Sequence, residues 1–277
     1  MNESMLIFII ILPLLVAALM ALIPNQRKVL LAGIAVLGSA LTLVQAGIIF
    51  FHATDEWRFV ANWIGHGIDF SLRADLLAGF ILLAVNAFGV LLALYTAGYS
   101  RNPDKLRPYY SYFFLLLGST NGAVLANNFI VLILFLGTML PALYGIIRLG
   151  GADAEPTARK ALIIAGVVDF MMMLGIILLS TETGTFSLSA VHADITGVIG
   201  VAFILMATAA MAKAGAMPFH TWIPDAAVEA PLPFMAFLPA ALEKLLGIYL
   251  LVRVSLHLFV IPMGSAFSLF LMTMGSI

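Results

Sequence analysis

The chain has 277 residues, of which 63% are apolar and only 10% are charged, with a mean hydropathy of +1.11. Soluble globular domains contain about 45–50% apolar residues, so this composition indicates an integral membrane protein. The net charge of −1 argues against a basic surface for nucleic acid. The lack of cysteine excludes disulfides, thiolate metal sites and Fe–S clusters held by this chain.

Long apolar runs between charged residues predict the membrane spans. A spanning helix needs about 20 mostly apolar residues. The sequence predicts eight spans and a ninth that is cut short by the C-terminus, at 6–23, 29–51, 76–99, 108–126, 128–147, 161–181, 195–217, 232–254 and 259–277. Because the uncharged block 108–147 is too long for one crossing, we expect a turn at Asn127-Asn128. The predicted fold class is all-α, a polytopic transmembrane helix bundle in a single domain, 1–277.

Lysine and arginine set the orientation of a membrane protein, since they accumulate in cytoplasmic loops. If the N-terminus lies outside, the cytoplasmic loops hold Arg27, Lys28, Arg101, Lys105, Arg107, Arg148, Arg159 and Lys160. The outer loops then hold only Arg58, Arg73 and Arg253. We therefore predict an N-terminus outside. The long outer loop 52–74 carries Trp57 and Trp63, and indoles favour the membrane interface.

Four ionisable residues fall inside predicted spans: Asp169, Lys213, Glu243 and Lys244. Each such charge costs about 2.5–3.5 kcal/mol at a helix centre, so its presence indicates pairing, contact with water or a function. A structural ion pair or a side chain that reaches the interface is the alternative for each. Neighbouring residues on a helix point about 100° apart, so we expect Glu243 and Lys244 to face different surroundings.

The segment 212–231, AKAGAMPFHTWIPDAAVEAP, interrupts the seventh apolar run. Pro218 and Pro224 each remove a backbone donor and disfavour helix before them, which predicts that the seventh helix breaks or ends here. Broken helices persist in membranes where the freed backbone is satisfied again or lines a wet cavity. Lys213 beside the break could then exchange protons with water, and the imidazole of His220 suits proton uptake. A solvated loop with an ordinary histidine is the simpler alternative.

The stretch KAGAMPFHTWIPDA at 213–226 resembles the signature of the antiporter-like proton-translocating subunits. These subunits occur in respiratory complex I, in energy-converting membrane-bound hydrogenases and in multi-subunit sodium/proton antiporters. LANNFIVLILFLG at 125–137 and RKALII at 159–164 also resemble the family. PLPFMAFLPAALEKLLGIYLLVR at 231–253 looks closest to the hydrogenase-linked branch.

The resemblance implies roles for the charged residues inside the spans. Lys213 matches the central proton carrier on a broken seventh helix, and Asp169 matches an aspartate on the sixth. Lys244, with Glu243 beside it, matches the residue that connects this half-channel to the central axis. In the family a glutamate on the fifth helix pairs with the lysine, but Met139 occupies that position here. Either Asp169 or Glu243 then takes over its role, or the pump is impaired.

The resemblance also implies an organisation for the whole chain. Residues 1–107 match the N-terminal helices, 108–258 match the first antiporter-like five-helix repeat, and 259–277 match the start of a further, truncated helix. Family members contain two inverted repeats of this kind. The chain therefore holds one half-channel and lacks most of the second repeat.

The implied function is proton translocation within a redox-driven complex of the prokaryotic cytoplasmic membrane, either NADH:quinone oxidoreductase-like or a membrane-bound hydrogenase. The chain has no redox centre of its own, so peripheral partner subunits would carry Fe–S clusters with Ni–Fe or flavin. Other membrane subunits, the lipid bilayer and protons, or sodium ions, are the further expected partners. Two alternatives stay open: a non-pumping structural component of such a complex, and a component of a multi-subunit sodium/proton antiporter.

Overall fold

The computed structural model describes residues 2–52, 56–65, 68–99 and 105–276. Arg101, assigned above to a cytoplasmic loop, lies outside the described residues. The described part is a helix bundle with a short hairpin, which confirms the predicted polytopic helical architecture. We name its two ends by what lies there: the hairpin end, and the Lys160 end opposite.

Six long helices and a hairpin form the first part of the chain. The helices are α1 (Asn2–Leu22), α2 (Lys28–Phe51), α3 (Leu76–Tyr99), α4 (Leu106–Leu125), α5 (Phe129–Arg148) and α6 (Glu155–Thr183). The hairpin between α2 and α3 consists of β1 (Trp57–Gly65) and β2 (Ile68–Ala74). A single turn of 3₁₀ helix, Leu188–Ala190, follows α6.

The second part of the chain is made of shorter pieces. They are β3 (Ala193–Asp194), α7 (Gly197–Lys213), a 3₁₀ turn (Phe219–Trp222), α8 (Ile223–Glu229), α9 (Leu232–Phe237), α10 (Glu243–Arg253), β4 (Phe259–Val260) and α11 (Ala266–Ser276). Two π-helical segments, Leu238–Leu242 and Val254–Leu258, flank α10. The predicted eighth span is thus one apolar rod in which α-helical turns alternate with π-helical ones.

Among the described residues, six helices are long and apolar enough to cross a membrane, and Leu232–Leu258 counts as one of them. The helices α7 and α11 are apolar but shorter. In α4, polar Ser119, Thr120 and Asn121 lie within a run from Leu116 to Leu125 that is buried throughout. Because α4 packs against α1, α3 and α5, protein surrounds these polar groups. The predicted total of eight to nine spans stays a prediction.

A buried amide pair fixes the centre of the bundle. Asn86 of α3 donates to the Asn121 side-chain oxygen over 3.0 Å, and Asn121 donates back over 3.3 Å. Asn121 also donates to the carbonyl of Ile9 over 3.1 Å. Buried amides must be hydrogen-bonded, so this pair ties α1, α3 and α4 into one register.

The predicted turn at Asn127-Asn128 is present between α4 and α5. Asn128 caps α5 by accepting a hydrogen bond from the backbone of Ile130 over 2.9 Å. Asn127 donates through its amide to the hydroxyls of Ser71 and Ser189. These bonds join the turn to the hairpin and to the segment after α6, so residues far apart in sequence meet at the hairpin end.

The sequence predicts the loop 52–74 only as an interfacial segment, whereas most of it forms the antiparallel pair β1–β2. Arg58 lies opposite Arg73 in the register. Glu56 bridges these like charges with two contacts of 3.0 Å. Trp57 is buried, whereas Trp63 is half-exposed. The charge pairing explains why a segment with two facing arginines forms a regular hairpin.

Candidate functional site

The seventh helix is interrupted, as predicted, and its last residue is Lys213. The chain then turns at Ala214 and Gly215, so the helix ends before the first proline. Gly215 has a φ of +94°, a conformation that suits glycine. Pro218 precedes the 3₁₀ turn, and Pro224 lies in the first turn of α8, where a missing backbone donor has no cost. The interruption leaves the Lys213 side chain at an open helix end.

Lys213 and Asp169 form a buried ion pair between α7 and α6. The Nζ atom of Lys213 lies 2.5 Å from Oδ1 of Asp169, and the two side chains are only 5% and 12% exposed. Fourteen residues of α6 lie on each side of Asp169, which places it at the helix centre. The sequence pattern indicates both residues, but only the tertiary structure brings them together.

The pair is close in distance without hydrogen-bond alignment, and neither oxygen of Asp169 has a hydrogen-bond partner among the described residues. We describe it as an ion pair, because attraction between opposite charges depends on distance far more than on angle. Attraction between the two charges is therefore the contact that joins α6 to α7 at this point.

Glu243 lies close to this pair. Together with Lys213, Phe219 and Trp222 it lines a small cavity of about 20 Å³. Such a volume is enough for one water molecule. Glu243 also lies within electrostatic range of both Lys213 and Asp169. The cavity thus joins the amine to a second carboxylate by a route that one water can bridge.

Lys244 faces different surroundings from Glu243, as their adjacent positions on a helix require. Its side chain is exposed and passes close to Gly215. A Cβ atom placed on Gly215 would lie 3.8 Å from Cε of Lys244. Close packing fixes this arrangement, because a Cβ on Gly247 would clash with the backbone nitrogen of Ala214. Lys244 is therefore held against the turn that follows Lys213.

His220 lines an open cleft of about 560 Å³ together with Met211, Met217 and Ser255. The Nδ1 atom of His220 and the hydroxyl of Ser255 are buried and have no hydrogen-bond partner among the described residues. Polar atoms in that condition are normally satisfied by water. His220 is accordingly half-buried beside a space large enough for several waters.

The segment 218–231 is anchored rather than freely solvated. Lys160 of α6 binds Asp225 of α8 over 2.7 Å and the carbonyl of Thr221 over 2.8 Å. Both charged side chains are about half-exposed, at 42% and 45%. This Lys–Asp pair joins α6 to the interrupted segment at the surface, as Lys213 and Asp169 join α6 to α7 in the interior.

Met139 is buried on α5, and the hydroxyl of Thr120 lies 4.0 Å from its sulfur. A thioether is a weak acceptor with no charge. The carboxylate that faces Lys213 comes from α6 instead. Of the two acids that could replace the missing glutamate, Asp169 makes the direct contact and Glu243 lines the adjoining cavity.

A second charged network lies at the hairpin end, and the sequence pattern does not indicate it. The prediction that Arg253 lies in an outer loop is wrong, because Arg253 is the last residue of α10 and is buried. It binds Asp75 over 2.6 Å. It also donates to the hydroxyl of Tyr249 over 3.0 Å, and that hydroxyl donates to the carbonyl of Val124 over 2.6 Å. The only signal in the sequence is an arginine at the end of an apolar run.

Asp75 is the centre of this second network. Burial by itself would raise the pKa of Asp75, but the backbone N–H of Ala78 and the guanidinium groups of Arg253 and Arg73 stabilise the carboxylate and hold its pKa below the usual value. Arg73 binds Asp75 over 3.1 Å. Because each partner is a permanent cation or a backbone donor, Asp75 stays ionised.

Within the described ranges, no group of three or more histidine, aspartate or glutamate side chains is arranged to hold a metal ion. The first site offers an amine, two carboxylates and room for one water at an interrupted helix. A polytopic helix bundle with this arrangement defines the class: an antiporter-like subunit of the membrane.

The family comparison agrees with that class. Residues 126–277 match the family described as NADH:quinone oxidoreductase/Mrp antiporter, TM. The match covers more than half of the chain and includes Asp169, Lys213, Glu243 and Lys244. The chain therefore belongs to this family, and the resemblance that the KAGAMPFHTWIPDA stretch suggested is confirmed.

Curated relatives include components of bacterial antiporters. A probable K(+)/H(+) antiporter A/B subunit of Rhizobium meliloti is 32% identical over 222 residues, which is 76% of this chain and 22% of that protein. A Na(+)/H(+) antiporter A1 subunit of Staphylococcus haemolyticus is 30% identical over 272 residues, which is 94% of this chain and 34% of that protein. The chain thus spans between about a fifth and a third of the length of these relatives.

Two solved structures share the fold. The Mrp complex from Dietzia sp. DQ12-45-1b contains a chain with a TM-score of 0.78 and 25% identity, and the match covers 91% of this chain and 28% of that one. The membrane-bound sulfane sulfur reductase, an archaeal respiratory membrane complex, contains a chain with a TM-score of 0.81 and 20% identity. That match covers 97% of this chain and 56% of the other. At that identity, the second likeness concerns the fold alone.

Proposed function

We propose that this chain translocates ions, with the proton as its ion, as one membrane subunit of a larger complex. The observation that carries the proposal is the buried Lys213–Asp169 pair at the end of the interrupted helix α7. A buried amine keeps its proton when a carboxylate is near and releases it when the carboxylate moves away, since desolvation favours the neutral form. A small movement of Asp169 would therefore load or unload Lys213.

The surrounding groups suggest a route for the proton. His220 and its cleft would admit protons from the Lys160 end, since imidazole is the side chain that exchanges protons most readily at neutral pH. One water in the cavity that Glu243 lines would connect that carboxylate to Lys213. Lys244, on the other side of the interruption, would accept the proton next. In this proposal 108–258 act as one five-helix repeat.

The proposed setting follows the expectations from the sequence. The N-terminus lies outside, the membrane is the prokaryotic cytoplasmic membrane, and translocation is driven by electron transfer in peripheral redox subunits. Those partners would carry Fe–S clusters with Ni–Fe or flavin. The description of the matching family, which names NADH:quinone oxidoreductase, supports this setting.

A second candidate function is ion exchange in a multi-subunit antiporter, in which electron transfer plays no part. The names of the curated relatives, which are K(+)/H(+) and Na(+)/H(+) antiporter subunits, favour it. A third candidate is a non-pumping structural subunit, which Met139 in place of the family glutamate favours. All three use the same fold, and they differ in what drives ion movement and in whether Lys213 takes part.

The test compares Lys213→Ala with the wild type in inverted vesicles that hold the native complex. Proton movement is measured per electron transferred, and separately as exchange against an imposed pH gradient without an electron donor. Lys160→Ala is the matched control, since it removes a lysine that pairs with an aspartate at the exposed surface. We expect Lys213→Ala to lose translocation and Lys160→Ala to retain most of it.

Each result separates the candidates. Loss of protons per electron in Lys213→Ala supports the redox-driven pump, whereas loss of exchange without an electron donor supports the antiporter. An unchanged ratio in an assembled Lys213→Ala complex would refute both and leave the structural role. Fe–S, nickel or flavin that copurifies with the tagged chain would independently identify redox partners.

A further inference from the structure

A second small cavity lies at the hairpin end, apart from the Lys213 site. It measures about 20 Å³, and Arg73, Asn127, Tyr249, Arg253 and His257 contribute to its lining. The residues come from β2, from the turn between α4 and α5, from α10 and from the second π-helical segment. A cavity holds a water molecule when it offers about 10–15 Å³ and two or more polar partners.

Two polar atoms among the lining residues are buried and lack a hydrogen-bond partner in the described part of the chain: Nε of Arg73 and Nδ1 of His257. The terminal nitrogen of Arg73 is already engaged by Glu56 and Asp75. Its Nε–H group is bound by neither of these carboxylates. Unpartnered buried polar atoms in native proteins are usually satisfied by ordered water.

We propose that one water molecule occupies this cavity and bridges Arg73 to His257. The water would accept a hydrogen bond from Nε–H of Arg73 and donate one to Nδ1 of His257. Asn127 donates through its amide nitrogen to Ser71 and Ser189, so its side-chain oxygen is a further acceptor at the same site. This assignment satisfies both unpartnered atoms with one molecule of the right size.

The bridge determines the chemical form of His257. As an acceptor, Nδ1 carries no proton, so the ring is neutral and its proton lies on Nε2. This inference does not depend on ion translocation.

The first test is an electron cryo-microscopy map of the assembled complex at a resolution that shows ordered water. We expect density for one water within hydrogen-bond distance of both Nε of Arg73 and Nδ1 of His257. Empty density, or a lipid or protein group in direct contact with either nitrogen, would overturn the proposal.

Arg73→Lys tests the role of the Nε–H group, because lysine keeps the positive charge but has no such donor. Arg58→Lys is the matched control, since Arg58 also binds Glu56 but is exposed and does not line the cavity. We expect the water density to disappear in Arg73→Lys and to stay in Arg58→Lys. Density that survives in Arg73→Lys would count against the bridge.

Nitrogen-15 solid-state NMR of histidine-labelled protein gives an independent readout, which needs no variant at Arg73. The chain has five histidines, so the signal of His257 is the one that His257→Gln removes. At about pH 8, where histidine rings are mostly neutral, we expect the ring proton of His257 on Nε2. A proton on Nδ1 under these conditions would refute the assignment.

Discussion

Two buried ion pairs among the described residues have similar distances but different chemistry. Lys213 and Asp169 lie 2.5 Å apart beside the first residue of α10, and Arg253 and Asp75 lie 2.6 Å apart at its last. Neither oxygen of Asp169 has a hydrogen-bond partner among the described residues, whereas Asp75 accepts from Ala78. Asp75 is therefore held by a backbone donor in addition to its cations, whereas Asp169 is held by the charge attraction of Lys213.

The choice of cation strengthens the contrast. A lysine amine loses its proton readily when buried, but a guanidinium stays charged under all ordinary conditions. A pair that contains lysine can thus change charge during a transport cycle, and a pair that contains arginine serves as a permanent link. One pair lies beside the first residue of α10 and the other contains its last residue, so in the proposed mechanism this rod has one end that changes charge and one that does not.

Exchanging the cations tests this comparison most severely. Lys213→Arg keeps the positive charge but removes the ability to release a proton. The ordinary pKa of arginine is more than one unit above that of lysine, and one unit is a factor of ten, so we expect transport in vesicles to fall at least about tenfold. Arg253→Lys keeps a cation near Asp75, and we expect it to retain most transport. Equal activity in Lys213→Arg and the wild type would contradict a carrier role for Lys213.

Breaking the fixed pair is expected to have the largest effect on stability. Arg253→Ala leaves the Asp75 carboxylate buried without its main partner, which costs about 3–5 kcal/mol. The measurement is thermal unfolding of the purified complex in detergent. The double variant Asp75→Leu with Arg253→Met removes both charges and should recover most of that loss. A double variant less stable than Arg253→Ala would show that the pair itself stabilises the fold.

Filling the contact between α7 and α10 is expected to lower the stability by less than breaking the Arg253–Asp75 pair does. Gly247→Ala places a methyl group against the backbone of Ala214 and forces the two helices apart, at a cost of about 1–3 kcal/mol. Gly166→Ala is the control, because nothing lies within 4 Å of a Cβ at that position. We expect reduced thermal stability and reduced transport only in Gly247→Ala. Similar behaviour of the two variants would argue against close packing at Gly247.

Acid should leave the fixed pair unchanged, which is the smallest expected effect. The pKa of Asp75 is held below the ordinary aspartate value of 3.8, so its contribution to stability is present above that value and is lost only as the pH falls through the lower folded-state pKa. Between pH 7 and about pH 5, the thermal stability of the wild type and of Asp75→Asn should therefore change with pH in the same way. A loss of stability in this range that occurs in the wild type but not in Asp75→Asn would mean that Asp75 titrates far above the pKa that its partners impose.

Much of the candidate site can be predicted from the sequence. Charges inside apolar runs are rare, so Asp169, Lys213, Glu243 and Lys244 are identifiable without a structure. The interruption after Lys213 is predictable from the prolines that follow it, Pro218 and Pro224. The pairing is not, because Asp169 and Lys213 are far apart along the chain and either Asp169 or Glu243 is a possible partner.

The sequence by itself determined that this is a membrane protein of helices with a broken seventh helix, because hydropathy and proline act through local chemistry. Only the tertiary structure decided which charges meet, that Trp57–Gly65 and Ile68–Ala74 pair as the two strands of a hairpin, and that Arg253 is buried against Asp75 rather than in an outer loop. Those outcomes depend on contacts between distant residues, and a linear pattern of apolar and charged residues does not encode such contacts.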